Sequence, residues 1–139
     1  QNIYNNIQTL RKHNINVKKY LIQFLDQHKI LVGTSAGASI LGTFMPPVLG
    51  KGIGLVNTII DQHFIVNKRF HRGLQFIRKK PKLGLIGIDE DTMVIHNYKK
   101  NHKGKRYYTV FGDRMVVIIE NINSDIKVKI LKNKDHFYI

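Results

Sequence analysis

Apolar residues recur with helical spacing near the start of the chain and form short continuous runs farther on. Ile3, Ile7 and Leu10 fall on one face of a helix, which predicts a helix over Asn2–Lys12. A second helical pattern covers Val17–His28. The continuous runs are typical of strands buried on both faces of a parallel sheet. Three of them stand out: Lys29–Gly33, Ile59–Phe64 and Leu83–Glu90.

The remaining pattern predicts two more helices, at Ala36–Phe44 and Asn67–Lys80. Alternating residues predict three strands near the end of the chain: Thr92–Tyr98, Tyr107–Glu120 and Ile126–Leu131. In the last of these, apolar residues alternate with Lys, as in a half-buried or edge strand. We therefore predict helices over residues 1–28, a core over 29–95 and a β-rich part over 96–139, all within one α/β domain.

A glycine-flanked serine follows the first apolar run. Gly33, Ser35 and Gly37 form a G-x-S-x-G pattern between that run and the next predicted helix. Strand, turn and helix around such a serine are the context of a nucleophile elbow, where the hydroxyl is exposed at the end of the strand. Free N–H groups of the new helix would point to the same place, where an oxyanion would develop. The pattern alone is weak, and Ser35 could also be the N-cap of a tight turn.

Polar residues end the other two apolar runs. His63 lies at the end of the second run, and Glu90 lies at the end of the third. Since open α/β sheets build their sites at the ends of parallel strands, we expect the serine, the histidine and a carboxylate to lie close together. Serine needs a base, and the base needs a carboxylate that fixes its tautomer. His63 could instead be a structural histidine, and Asp89 or Asp91 could orient it in place of Glu90.

The three motifs together resemble those of cyanophycinases, serine hydrolases akin to peptidase E. They read GTSAGA, then DQHF followed by a helix with spaced arginines, then GLIGIDEDT. The resemblance is dense over residues 29–95. It implies that Ser35 is the nucleophile, His63 the base and Glu90 the acid of a catalytic core. It also places the Ala36 N–H in the oxyanion hole.

The resemblance further implies which residues hold the substrate. Asp61 and Gln62 match the pair that precedes the histidine in the family. Arg69 and Arg72 match two of three basic residues on the following helix, whereas Asn67 stands in place of the first. Two guanidiniums three residues apart share a helix face and suit a carboxylate-rich ligand. The two arginines could also be part of a solvated helix face.

The implied reaction is hydrolysis of β-aspartyl linkages through an acyl-enzyme. The family's substrate is cyanophycin, a poly-Asp backbone with Arg on each β-carboxyl, and cleavage releases β-Asp-Arg dipeptides. An isoaspartyl dipeptidase, or another β-aspartyl exopeptidase of the peptidase E type, would share these catalytic parts. A third hypothesis is a non-catalytic half that binds acidic partners. We expect no metal and no other cofactor, because the spacing of His and Asp matches no metal motif. Six other histidines lie in solvent-like contexts and are assigned no role: His13, His28, His71, His96, His102 and His136.

The implied fold is a flavodoxin-like three-layer α/β sandwich, related to class I glutamine amidotransferases, with antiparallel strands added at the C-terminus. Those amidotransferases use a cysteine nucleophile, and this chain has no Cys, which excludes their activity. Complete family members carry a further N-terminal half with the first strands of the sheet. We expect that half on the same or a separate chain, and we expect a homodimer. Without that half, Lys29–Gly33 would lie near an unpaired sheet edge.

The basic composition adds one alternative partner. The chain of 139 residues has 23 Lys and Arg against 9 Asp and Glu, a net charge of +14. Nucleic acid is one partner for such a charge, but the lysines are spread over every element, which disfavours it. A basic rim would also attract an acidic polypeptide substrate. No apolar run has the length of a transmembrane helix and no signal peptide is visible, so we expect no membrane partner. The absence of Cys agrees with a cytoplasmic protein.

Overall fold

The computed structural model describes residues 2–47, 50–102 and 105–139, without the side chains of residues 98–102 and 105. The chain divides into two compact units, residues 1–60 and 61–139. The helices are α1 (Asn2–Lys12), α2 (Val17–Asp26), α3 (Ala36–Ser39) and α4 (Phe70–Lys79). The strands are β1 (Phe44–Met45), β2 (Gly50–Lys51), β3 (Thr58–Gln62), β4 (Gly84–Ile88), β5 (Thr92–His102), β6 (Lys105–Gly112), β7 (Val116–Ile122), β8 (Asp125–Leu131) and β9 (His136–Tyr138). No described helix is both long and apolar enough to cross a membrane.

The first unit packs its helices on one apolar cluster. The cluster consists of Ile7, Ile40, Met45, Ile53 and Leu55. The predicted bounds of α1 are confirmed, and α2 ends two residues earlier than predicted. The helix α2 is capped by Asn16, whose side-chain oxygen accepts a hydrogen bond from the Lys19 N–H at 3.1 Å. This satisfies one of the N–H groups at the start of the helix that have no partner within it. Within this unit β1 pairs with β2 antiparallel and with β3 parallel.

The prediction of a buried strand at Lys29–Gly33 is wrong. The segment has no assigned secondary structure, and Ile30 and Val32 are 84% and 77% exposed. Only Leu31 packs against the core of the first unit. A strand exists only when a neighbour takes its N–H and C=O groups, and no described strand pairs with this segment. Ile30 and Val32 therefore stay in solvent.

The second unit contains most of the β structure. β4 pairs antiparallel with β7, and β7 pairs antiparallel with β8, which is the last strand of its sheet. Four consecutive residues of β7, Val116–Ile119, are at most 2% exposed, so this strand is buried on both faces. β8 alternates apolar and Lys residues and is mostly exposed, which confirms the predicted edge strand. A second sheet has the order β5-β6-β9. Parallel and antiparallel pairing together with helices fits an α/β fold.

Three other predicted boundaries are wrong. The helix predicted at Ala36–Phe44 stops at Ser39, since the chain turns back to pair β1 with β3. The helix predicted from Asn67 begins at Phe70, because residues 64–69 form turns. The strand predicted over Tyr107–Glu120 is two strands, β6 and β7, in different sheets. The predicted turn at residues 101–104 lies partly outside the described residues.

His96 is not in the solvent-like context that the sequence predicts. Its ring stacks on Tyr108 with centroids 4.6 Å apart, and Tyr108 stacks on Phe137 at 4.9 Å. Nδ1 of His96 donates to the Tyr107 carbonyl at 3.0 Å, and Nε2 is buried without a partner among the described residues. Burial lowers the pKa of His96 below its ordinary value, because a charged ring here would lose its hydration. Burial also raises the pKa of Tyr108 to about 12.

The lowered pKa of His96 predicts a loss of stability in acid. The unfolded chain takes up this proton near the ordinary pKa of 6.5, before the folded chain does, so stability falls as the pH drops below that value. His96→Phe keeps the stacked ring and removes the titration. We expect its free energy of unfolding to fall less than that of the wild type when the pH is lowered from about 7.5 to about 5. Urea titrations at steps of ~0.5 pH unit measure this difference. His13→Gln replaces an exposed histidine and should show the same dependence of the unfolding free energy on pH as the wild type. Equal slopes for His96→Phe and the wild type would contradict the assignment.

Candidate active site

The first unit holds the candidate nucleophile in a strained turn. Ser35 has φ 46° and ψ −122°, a left-handed backbone that costs a non-glycine residue roughly 1–3 kcal/mol. Its side chain makes no capping hydrogen bond to α3, so the N-cap alternative has no support in the geometry. Gly33 must be glycine here, because a Cβ would lie 2.6 Å from the Gly37 carbonyl oxygen. The strained serine directly before α3 is compatible with the predicted turn, in which a serine is held between two glycines at the start of a helix.

Beyond Ser35, the Ala36 N–H is the predicted donor to an oxyanion. The Gly37 N–H donates to the Thr34 carbonyl at 2.7 Å, and the Ala38 N–H donates to the Ser35 carbonyl at 3.0 Å. Ala36 is the first residue of α3, so its N–H has no acceptor within the helix. A donor in this position, directly after the serine, is the one that such turns offer to an acyl-transfer oxyanion.

The second unit brings the candidate base and acid together. Nδ1 of His63 lies 3.1 Å from Oε1 of Glu90, at the ends of β3 and β4. A carboxylate on Nδ1 favours the tautomer in which Nδ1 carries the proton and Nε2 carries the basic lone pair. The side chains are 37% and 44% exposed, so this pair contributes only about 0–1 kcal/mol by itself. His63 also has φ 51°, a left-handed backbone that the surrounding loop must hold.

The two arginines meet on one buried carboxylate. Asp61 is 1% exposed, and its Oδ2 accepts hydrogen bonds from Nε and Nη2 of Arg72 at 3.1 Å and 2.7 Å. Nη2 of Arg72 also donates to Oδ1 of Asp61 at 2.6 Å. Nη1 of Arg69 donates to Asp61 Oδ1 at 3.1 Å and also to the Gln62 carbonyl. A buried carboxylate must be paired in this way to offset its lost hydration. Two guanidiniums against one carboxylate leave the cluster with an excess of one positive charge.

Gln62 and Asn67 differ in their surroundings. Nε2 of Gln62 is buried and has no hydrogen-bond partner among the described residues, and such a donor is costly to leave unpaired. Asn67 is exposed, and its N–H donates to the His63 carbonyl at 3.0 Å. The side chain of Asn67 is therefore exposed at a position where the resemblance implies a positively charged residue. We call Arg69 and Arg72 the cationic cluster.

Asp89 and Asp91 are adjacent to Glu90 in sequence, but their side chains contact other groups than His63. Oδ1 of Asp89 accepts the backbone N–H groups of Ile65 and Val66 at 3.2 Å and 3.1 Å. Asp91 is exposed, and its nearest described cation is Arg114 at 3.9 Å. Of the three neighbouring acids, Glu90 is the one placed on the histidine.

The structure thus divides the predicted site residues between the two units. The first unit carries Ser35 and Ala36. The second unit brings together the other six: Asp61, Gln62, His63, Arg69, Arg72 and Glu90. Sequence reasoning missed the contact of Asp89 with the histidine loop, although an acid directly after a buried strand was a signal for it. It also missed Arg114, for which the sequence holds no signal. Among the residues that the structure describes, no three acids or histidines gather as metal ligands would.

The buried pairing of Asp61 predicts that Arg72 stabilises the second unit. Arg72→Ala removes three of the contacts to this carboxylate and leaves it with Arg69 alone. We expect a loss of about 1–3 kcal/mol in the free energy of unfolding, measured by urea titration. Arg78→Ala, on the exposed side of the same helix, is the matched control and should change stability by less than about 0.5 kcal/mol. Equal effects of the two substitutions would contradict the pairing.

Comparison with known proteins agrees with the motifs. No protein-family model matches the chain. A cyanophycinase from Geminocystis herdmanii (strain PCC 6308) is 32% identical over 93 residues, which cover 67% of this chain and 32% of that protein. Cyanophycinases from Synechococcus elongatus and Thermosynechococcus vestitus (strain NIES-2133 / IAM M-273 / BP-1) are each 38% identical over 85 residues, covering 50% of this chain and 26% of the relative. The chain spans less than a third of the length of these curated relatives. The predicted resemblance is confirmed: this chain is similar to part of the cyanophycinases.

Proposed function

We propose that this chain carries the catalytic residues of a serine peptidase that hydrolyses cyanophycin and releases β-Asp-Arg dipeptides. The β-aspartyl bond to Arg stays intact in that product, so the bond broken is the main-chain peptide bond between aspartates and not the β-aspartyl linkage. The observation that carries the proposal is the backbone of Ser35, a non-glycine residue held at φ 46° directly before a helix. Strain of this kind persists only where the surroundings enforce it, and it is concentrated at functional sites. The similarity to cyanophycinases supports the choice of substrate.

The proposed mechanism is acyl transfer in two steps. His63 takes the proton of the Ser35 hydroxyl, and the serine oxygen attacks the aspartyl carbonyl of the scissile bond, which in cyanophycin is a main-chain peptide bond. The resulting oxyanion accepts a hydrogen bond from the Ala36 N–H. His63, held by Glu90, then gives the proton to the leaving amine, which departs and leaves an acyl-enzyme. Water, deprotonated by His63, attacks the acyl-enzyme and releases the free carboxylate and Ser35.

The cationic cluster is the proposed site for the substrate's free α-carboxylate. The side chains of Arg69 and Arg72 are 25% and 28% exposed, so each keeps a solvent-facing part that a carboxylate could reach. Asp61 is nearly fully buried and acts on the ligand through the two arginines that it holds. The unpaired Nε2 of Gln62 supplies a further donor for a substrate oxygen.

An isoaspartyl dipeptidase is the second candidate, and one residue favours it. Asn67 stands where the resemblance implies a third cation, so fewer charges remain to hold a polymer rich in carboxylates. A small β-aspartyl dipeptide needs fewer such contacts. The same catalytic residues serve both substrates, and hydrolysis of each substrate by the same preparation separates the two candidates.

The proposed fold is the flavodoxin-like sandwich that the resemblance implies, completed by strands outside this chain's described residues. The segment Lys29–Gly33 would then be an inner strand of the sheet. Its exposed Ile30 and Val32 are the apolar side chains that such neighbours would cover. The proposed partner is the N-terminal half of the same enzyme, because the curated relatives are more than three times as long as their matched regions.

The proposed activity predicts that Ser35→Ala abolishes turnover of cyanophycin. Removal of the nucleophile should lower kcat by about 10⁴-fold or more, measured as release of β-Asp-Arg by chromatography. A fluorophosphonate probe should label the wild type and Ser39→Ala, which lacks the buried hydroxyl one turn farther along, but not Ser35→Ala. Labelling without release of β-Asp-Arg would favour the isoaspartyl candidate. Absence of labelling in a folded, complete enzyme would contradict a serine mechanism and favour the non-catalytic hypothesis.

The exposed segment predicts self-association of the chain on its own. An unpaired apolar segment offers free backbone groups to any other strand. The double substitution Ile30→Lys and Val32→Lys should shift the chain toward the monomer in sedimentation velocity measured over a range of concentrations. Met93→Lys with Ile95→Lys is the matched control, because these residues are exposed on a strand that is already paired. An equal shift in the control would show that the segment has no special role.

A further inference from the structure

The loop that carries the histidine is fastened by a carboxylate that the proposed mechanism does not use. The side chain of Asp89 is 2% exposed and directly follows β4. Its Oδ1 accepts two backbone N–H groups, from Ile65 and Val66, the second and third residues after His63. The Phe64 N–H donates to the Ile88 carbonyl at 3.2 Å. Three successive N–H groups after the histidine are therefore bound to the end of β4.

Phe64 adds an apolar anchor to these hydrogen bonds. Its side chain is 0% exposed. A Cβ on Gly87 would lie 2.4 Å from the ring, so β4 approaches the ring as closely as a glycine allows. The residue after His63 is thus fixed by packing, and the next two are fixed by Asp89. The histidine stands at the start of a segment that has little freedom to move.

The contact between His63 and Glu90 does not supply this rigidity itself. Both side chains are more than one-third exposed, and solvent screens their attraction. His63 also has a left-handed backbone, which an unrestrained loop would leave. The 3.1 Å separation of the pair must therefore be set by what holds the two backbones.

Asp89 is placed to hold both backbones. Its carboxylate binds the loop after His63, and its main chain leads directly into Glu90. Its Oδ2 lies 3.5 Å from Nη1 of Arg114, and the Asp89 N–H donates to the Met115 carbonyl at 3.2 Å. The Arg114 N–H in turn donates to Oγ1 of Thr92 at 3.1 Å. The acid-bearing turn is thus braced by the segment between β6 and β7.

We infer that Asp89 is a positioning residue, which holds His63 against Glu90 through the loop 64–66 and Arg114. The consequence for catalysis rests on the proposed function. The effect on the histidine itself does not depend on the proposed function. The tautomer of His63 reports its contact with Glu90 whether or not any substrate is hydrolysed.

The deciding experiment is ¹⁵N NMR of the His63 ring at a pH where the imidazole is neutral. In the wild type we expect the Nδ1–H tautomer, because Glu90 accepts that proton. In Asp89→Ala we expect the ring to shift toward the Nε2–H tautomer while the chain still unfolds cooperatively. Glu90→Ala, which removes the acceptor, defines the spectrum of a histidine without its carboxylate. A wild-type tautomer in folded Asp89→Ala would overturn the inference.

Asp91→Ala is the matched control. Asp91 lies on the other side of Glu90 and carries the same charge, and it is 3.9 Å from the same arginine. Its side chain has no hydrogen bond to the histidine loop among the described contacts. Alanine is also strained at its left-handed φ of 51°, so the control should destabilise the chain without changing the tautomer. A tautomer shift as large as that of Asp89→Ala would overturn the inference, since charge or stability alone would then explain it.

A milder substitution covers the case in which Asp89→Ala does not fold. Asp89→Asn keeps the shape and one acceptor but weakens charge-assisted hydrogen bonds. We expect a partial shift of the His63 tautomer, and an unchanged spectrum would then overturn the inference. If cyanophycin is hydrolysed, the folded Asp89→Ala enzyme should lose about 10- to 100-fold in kcat with KM within about twofold. A changed KM with unchanged kcat would contradict a role in positioning the base.

Discussion

Two carboxylates buried at the ends of neighbouring apolar runs constrain the second unit. A buried charge is costly unless it is paired and hydrogen-bonded. Asp61, at the end of β3, is satisfied by two guanidiniums from the start of α4. Asp89, after β4, is satisfied by two N–H groups of the loop in between and by an arginine from the segment before β7. The segment from β3 to α4 is therefore tied down at both ends, and the candidate base lies within it.

In this site the buried contacts are the strong ones, and the contact between the candidate base and acid is exposed and weak. The buried contacts of Asp61 and Asp89 hold the backbone. The contact between His63 and Glu90 is exposed and contributes little to stability. This division suits the proton transfer proposed for the pair, because a histidine that is to exchange protons with a substrate has to stay accessible. Its geometry can then depend on neighbours that do not meet the substrate.

The first unit shows the same separation between a local feature and its surroundings. The turn at Ser35 is determined locally, by the close approach of Gly33 to the Gly37 carbonyl and by the start of α3. The segment before it, with Ile30 and Val32 in solvent, depends on neighbours for its structure. The turn at Ser35 is therefore present although the segment that leads to it pairs with no described strand. For this reason the activity is proposed for a complete sheet.

The sequence by itself determined the features that rest on short-range rules. Helical spacing of apolar residues predicted α1 with its bounds, and the apolar run before Glu90 predicted β4, because these patterns depend on neighbours along the chain. The motifs predicted a histidine and a glutamate that the structure places 3.1 Å apart. Only the tertiary structure decided that β6 and β7 lie in different sheets and that Asp89 meets Arg114. Those contacts join residues far apart in sequence, and burial and pairing between distant segments leave no periodic signal in the chain.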